Sequence, residues 1–209
     1  QKKTTFSTQL AKAENDFLKV YGTKGAIRFL QEQKFVDMAA KKNPKILDCS
    51  AETIYIAVSL VAMCGLTLNP IRKQCALVPR AGVCTLSIMY QGVLDLLRTD
   101  AGVICTTGVV YDCDEFTDDY KEGYGGYVNA KRKMNRPDNA IRLYTYNVAH
   151  FSDGKTHCFI YDNNQVEKRR KKAQSDNVWS EWEDEMYMKT VIHAHYKYLP
   201  KSEKLDAVM

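Results

Sequence analysis

Along the first forty residues apolar side chains recur at helical spacing in an otherwise polar text, with Ile27, Leu30, Phe35 and Met38 as the candidate buried stripe, and the pattern stops at Asn43-Pro44. One or two helices are predicted between residues 6 and 42. Ser50 then precedes a run in which Ile54, Ala57, Val58, Val61 and Ala62 recur at three and four, closed by Gly65, which predicts a buried helix with a serine cap and a left-handed end. Beyond Asn69-Pro70 the period becomes two. Residues 75–79 and 83–90 flank Arg80-Ala81-Gly82, and Cys84, Leu86, Ile88 and Tyr90 alternate against Thr85, Ser87 and Met89, the pattern of a hairpin. A short helix is predicted over 92–98. β-Branched stretches at 103–111, 141–151 and 155–161, the last two joined by Ser152-Asp153-Gly154, are expected to extend the sheet. Asp162 with Gln165 predicts a capping box for a helix over 166–173, and a last helix is expected from about 179 to 199, where Pro200 ends it. These elements give an α+β fold, a mainly antiparallel sheet with flanking helices.

With 209 residues, 45% hydrophobic and 11% aromatic, the chain can bury one sizeable core or a core with a small satellite, and one domain is expected. The seven cysteines form no C-x-x-C pair, and an odd number cannot all pair within one chain, which points to a reducing cytosol. No stretch approaches ~18 consecutive apolar residues, and the polar, lysine-bearing start lacks a signal core, so a cytoplasmic protein without a membrane partner is expected. The Gly-Tyr stretch 123–127 reads as a mobile loop or hairpin tip.

Net charge is +5, but its distribution says more. Residues 131–172 hold eleven basic side chains against four acidic, whereas 111–122 hold six acidic against Lys121 alone. The run Lys168-Arg169-Arg170-Lys171-Lys172 places five cations on a predicted helix, where like charges repel by a few tenths of a kcal/mol each. A phosphate backbone would relieve that repulsion and release counterions. On the last helix Lys189, His193 and Lys197 fall at i, i+4 and i+8 and form one stripe, while Met188, Val191, Ile192, His195, Tyr198 and Leu199 lie toward the other side. His193 and His195 stand two apart, so they diverge, unlike the i, i+4 pair of zinc enzymes. Of the two tryptophans, Trp182 is expected in the core, which leaves Trp179 as the candidate to stack on bases.

The acidic cluster Asp112, Asp114, Glu115, Asp118 and Asp119 supplies the rival chemistry, a Mg²⁺-dependent nuclease, because carboxylates are the hard ligands that ion prefers. Most of these residues lie in a predicted turn, where aspartate is common for backbone reasons alone. No G-x-x-x-x-G-K-[ST] is present, so strand pairing would have to run on binding energy, and no G-x-S-x-G supports acyl transfer. A second rival is a nucleic-acid-binding module that does not anneal.

Five segments in order resemble the RecT recombinase family: residues 43–50 (NPKILDCS), 64–70 (CGLTLNP), 76–79 (ALVP) with 88–96 (IMYQGVLDL), 110–116 (VYDCDEF), and 182–200 ending in KYLP. The resemblance spans about residues 43 to 200. It implies an ATP-independent protein, without covalent chemistry, that oligomerises into rings or filaments, coats single-stranded DNA and anneals it to a complement in homologous recombination. It implies no required cofactor, with Mg²⁺ at most an aid to pairing. The setting implied is phage or prophage, with a phage exonuclease and a host single-strand binding protein as partners through a tail. Residue by residue it suggests Lys73, Arg80, Lys189 and Lys197 as backbone contacts. Charge and position add Arg72, Tyr90, Gln91, Lys168, Arg169, Arg170, Lys171, Lys172, Trp179 and His193. Where the family usually has arginine, Gln91 follows Tyr90, and His193-Ala194 stand where it has basic residues. The organisation expected is an N-terminal helical segment for oligomer contacts (1–42), a DNA-binding annealing core (43–200) and the start of a tail (201–209).

Overall fold

The computed structural model describes residues 2–119, 126–173, 177–200 and 204. The expected tip at 123–127 therefore lies outside the described residues except for Gly126 and Tyr127, and the tail lies outside them except for Lys204. The protein is α+β, as the periodicities predict, and it forms two compact units, Gln1–Leu96 with Lys201–Met209 and Leu97–Pro200. Among the described residues no helix is long and apolar enough to cross a membrane.

In the first unit α1 (Lys2–Tyr21) packs against both α2 (Gly25–Lys42) and α3 (Ala51–Cys64), and Leu10, Ala13, Phe17, Phe29, Val36, Ile54, Val58 and Val61 are buried. Phe17 and Phe29 meet edge to face at 5.7 Å. The helical period of α2 is as expected, but its phase is not. Phe29, Glu32, Val36 and Ala40 face inward, whereas Ile27, Leu30 and Met38 are 65%, 56% and 52% exposed. The buried stripe contains a glutamate, and a hydropathy pattern assigns glutamate to solvent. α3 begins and ends as its sequence predicts: the Ser50 hydroxyl accepts the Thr53 amide at 3.3 Å, and Gly65 turns left-handed at φ 72°. β1 (Cys75–Arg80) and β2 (Val83–Ile88) form the hairpin, with Ala81 and Gly82 both at positive φ (47° and 79°) in a two-residue turn. Its tip is tied down, since the Ser50 amide donates to the Gly82 carbonyl at 2.9 Å and the Cys84 amide to the Thr53 hydroxyl at 3.0 Å.

α4 (Tyr90–Asp100) carries the chain across the boundary at Leu96/Leu97. In the second unit β3 (Ile104–Tyr111), β6 (Arg142–His150) and β7 (Thr156–Asp162) make an antiparallel sheet in the order β3-β6-β7. This corrects one expectation. Among the described residues these strands do not extend the β1–β2 sheet and pair with one another. A further hairpin, β4 (Glu115–Asp118) with β5 (Val128–Lys131), lays Phe116 on Tyr144 of β6, ring centroids 5.3 Å apart. α7 (Glu183–His195) packs on the opposite sheet face, and α5 (Asn163–Arg170) and α6 (Asn177–Glu181) flank it. The capping box forms, with Asp162 accepting the Gln165 amide at 2.7 Å and Gln165 returning to the Asp162 amide at 3.0 Å. The single long helix expected over 179–199 is interrupted. Trp182 leaves helical geometry (φ −129°, ψ 54°), and residues 196–198 tighten into a 3-10 turn.

Candidate nucleic-acid interface

The cationic run is not one charged helix face. α5 ends at Arg170, and its two arginines already have partners. The Arg169 guanidinium lies 4.4 Å from the Tyr161 ring and donates to the Tyr161 hydroxyl at 2.5 Å. Arg170 is drawn inward, where it donates to Glu183 at 2.6 Å and lies 5.8 Å from the Trp179 ring. Lys168, Lys171 and Lys172 are left at the surface. The repulsion expected along this run is thus offset from within the protein, by a carboxylate and an aromatic ring.

The tryptophans are placed the other way round from the sequence expectation. Trp179 is 5% exposed in a cluster with Val166 and Tyr187, so its faces are unavailable to a base, whereas Trp182 is 54% exposed at the break between α6 and α7. The break itself is the reason. A continuous helix would have turned Trp182 inward.

Lys189, His193 and Lys197 do form one row along α7 and the turn that follows, with both lysines exposed and His193 half-buried. Burial lowers the His193 pKa first, and the positive charges of Lys189 and Lys197 lower it further, so the imidazole reads the field of the row. His195, two residues on, points into the core. Thr107 donates to Asn147 Oδ1 at 2.6 Å, which turns Asn147 Nδ2 toward His195 Nδ1 at 2.7 Å, and His195 Nε2 meets His157 Nδ1 at 2.7 Å. This chain from β3 through β6 and α7 to β7 holds His195 neutral, its pKa pushed by burial, then by His157, down to about 3. Tyr198, expected on the core side, is 63% exposed because the 3-10 turn advances it by about 120° per residue instead of 100°.

In the first unit Arg72, Lys73 and Arg80 are exposed. Lys73 has φ 51° and, with Lys42, Phe35, Met38, Leu68 and Leu77, lines a cleft of about 720 Å³. Tyr90 and Gln91 open α4, half-buried, with the Gln91 amide donating to the Tyr90 hydroxyl at 3.3 Å. The structure thus distributes the candidates over both units. Arg72, Lys73, Arg80, Tyr90 and Gln91 belong to the first, the others to the second.

Three of the five residues of the acidic cluster, Asp112, Asp114 and Glu115, are engaged in structure. Arg136 grips Asp114 with two bonds of 3.1 and 2.6 Å while the amides of Tyr111 and Lys133 donate to the same carboxylate at 2.9 and 3.0 Å. Although burial alone would raise the Asp114 pKa, these bonds hold it below the ordinary aspartate value. Asp112 caps the Ile141 amide at 3.1 Å, and Glu115 pairs with Lys131 across the β4–β5 hairpin at 3.3 Å. Among the described residues no three His, Cys, Asp or Glu converge as metal ligands. Arg136 and Arg142, counted in the basic zone, lie 4.2 and 5.2 Å from the Tyr111 ring, and Arg142 also pairs with Glu183 and Asp184 at 2.8 and 2.7 Å. Arg136 and Arg142, like Arg170, thus serve pairing within the unit, a distinction that a charge count cannot make.

Two comparisons with known proteins bear on the family of the chain. A sequence model of the RecT family matches residues 30–208. Protein RecT of Escherichia coli (strain K12) is 30% identical over 127 residues, covering 58% of this chain and 45% of that protein, so the aligned part spans less than half of the relative's length.

Proposed function

The chain belongs to the RecT family, and from that membership together with the lysine row of α7 we propose that it anneals complementary DNA strands in recombination, without nucleotide hydrolysis or covalent chemistry. The observation that carries the reading is the row Lys189, His193, Lys197, whose two lysines stand exposed at i and i+8 along α7 and the turn that follows. Phosphates lie along this row and along Lys168, Lys171 and Lys172, with Arg72, Lys73 and Arg80 as further contacts. One strand is held with its base edges open, and Watson–Crick pairing selects the complement, so the protein reads the backbone and the DNA reads sequence. About four phosphates neutralised per subunit give a log-affinity slope near −3 against log salt for a single strand. Subunits assemble through the first unit, where Ile27, Leu30 and Met38 stand exposed on α2, an apolar face of the kind that a second subunit would cover.

The test is the annealing rate of two complementary oligonucleotides, one carrying a fluorophore and the other a quencher, without ATP. The protein is expected to accelerate pairing, and Lys189→Glu, or Lys168, Lys171 and Lys172 all changed to Glu, to abolish the acceleration. DNA binding with no gain in pairing rate would sink the annealing function.

A further inference from the structure

We propose that Tyr198 is a stacking platform for a nucleobase, the outermost ring of a column that starts in the core of the second unit; this rests on the DNA-binding reading above and adds a base contact to its phosphate contacts. The column is ordered from within. His195, fully buried, lies 5.3 Å from Phe159 with the rings 14° from parallel, and Phe159 stacks in turn on Tyr198 at 5.6 Å and 28°. His195 is fixed by Asn147 and His157, so the lower rings are held by buried hydrogen bonds. Phe159 covers one face of Tyr198, yet the residue as a whole is 63% exposed. A base added to the top of this column meets a ring that is already oriented, and the ordering cost of binding falls accordingly.

The surroundings favour a nucleotide over an apolar protein segment. Lys197 precedes Tyr198, and Lys189 and His193 occupy the preceding turns of the same row. Phe159 also touches Tyr161 edge to face at 4.9 Å, and Tyr161 carries the Arg169 guanidinium at 4.4 Å. The row of rings Tyr198, Phe159, Tyr161 thus leads from the cations at the end of α7 to those at the end of α5. Aromatic rings set among cations bind single strands in a sequence-tolerant way, since every base has a π-face. That tolerance suits a protein that must accept any strand.

The experiment compares binding of a labelled thymidine oligonucleotide with that of an abasic oligonucleotide carrying the same number of phosphates. Wild type is expected to prefer the strand with bases. Tyr198→Ala is expected to weaken thymidine binding about tenfold or more while leaving abasic binding and the salt slope unchanged. Tyr198→Phe, which keeps the ring, should stay within about twofold of wild type. Tyr198→Trp gives a second readout: its emission should be quenched by the thymidine strand, beyond any change from Trp179 and Trp182 in the wild type, and not by the abasic one. Equal thymidine affinity in wild type and Tyr198→Ala, a loss that falls equally on the abasic strand, or no added quenching in Tyr198→Trp would overturn the stacking and leave DNA binding standing. Failure of wild type to bind either strand would overturn both.

Discussion

The Glu32 carboxylate accepts the Leu68 amide at 2.8 Å in a place that solvent does not reach. Its other oxygen takes the Thr67 hydroxyl at 2.5 Å and lies 3.5 Å from Arg28, while Gln74 accepts the Thr67 amide at 3.0 Å and donates to Asp95 at 2.5 Å. The loop between Thr67 and Gln74, which carries Arg72 and Lys73, is therefore anchored at both ends. Removing a buried charge from such a network strands its partners, so Glu32→Ala is expected to cost about 3–5 kcal/mol, read as a fall in the urea midpoint. A cost under about 1 kcal/mol would mean that the loop is held by other contacts.

Acid should weaken the second unit through His195. Its folded pKa is depressed to about 3 against 6.5 when unfolded, so the unfolded chain takes up the proton first. The stabilisation is complete above pH ~6.5 and declines by about 1.4 kcal/mol per pH unit as pH falls toward 3. Chemical denaturation at pH 7, 5.5 and 4.5 checks this. His195→Gln, which cannot take up that proton, should start from lower stability and flatten the decline, and an unchanged pH profile in this variant would refute the role given to His195.

Neighbouring cations in one run should separate into two kinds of effect. Arg170→Ala removes one of the two arginine partners of Glu183, beside Trp179, and is expected to cost about 1–3 kcal/mol in folding stability. Lys172→Ala should leave the melting temperature unchanged and reduce the salt slope of single-strand binding by about 0.7. Identical behaviour of the two variants in both measurements would contradict the division.

Gly92 faces the Gln74 carbonyl so closely that a Cβ would lie 2.2 Å from its oxygen. Both sides of that contact are backbone, so neither can rotate away. Gly92→Ala is expected to destabilise the first unit by at least about 2 kcal/mol, measured by thermal or urea unfolding. Wild-type stability in this variant would show that α4 can shift away from the loop.

Elements with a strong local signal are legible in the sequence alone. Ser50 and Gly65 bracket α3, Asp162 and Gln165 start α5, and the alternation around Arg80-Ala81-Gly82 marks the hairpin, because caps, boxes and turns are decided by neighbours in sequence. What escaped depends on distant partners. The phase of α2 is set by Glu32 reaching Thr67 and Leu68, and the sequence offers no sign that a glutamate faces inward. The fates of Trp179 and Trp182 turn on a break that no proline or glycine announces. Arg170 reads as a surface cation in the sequence because its partner Glu183 lies thirteen residues away across another helix.

The pairing of three arginines of the second unit, beside five lysines that stand at its surface, has a practical consequence. Arg136, Arg142 and Arg170 are gripped by carboxylates, whereas Lys168, Lys171, Lys172, Lys189 and Lys197 present their amines at the surface. Amine-directed footprinting, such as reductive methylation followed by mass spectrometry, would map whatever settles on this protein without disturbing its architecture. At Arg136, Arg142 and Arg170 a guanidinium reagent such as phenylglyoxal would instead report on unfolding. At these eight residues the two chemistries give a contact map and a stability gauge.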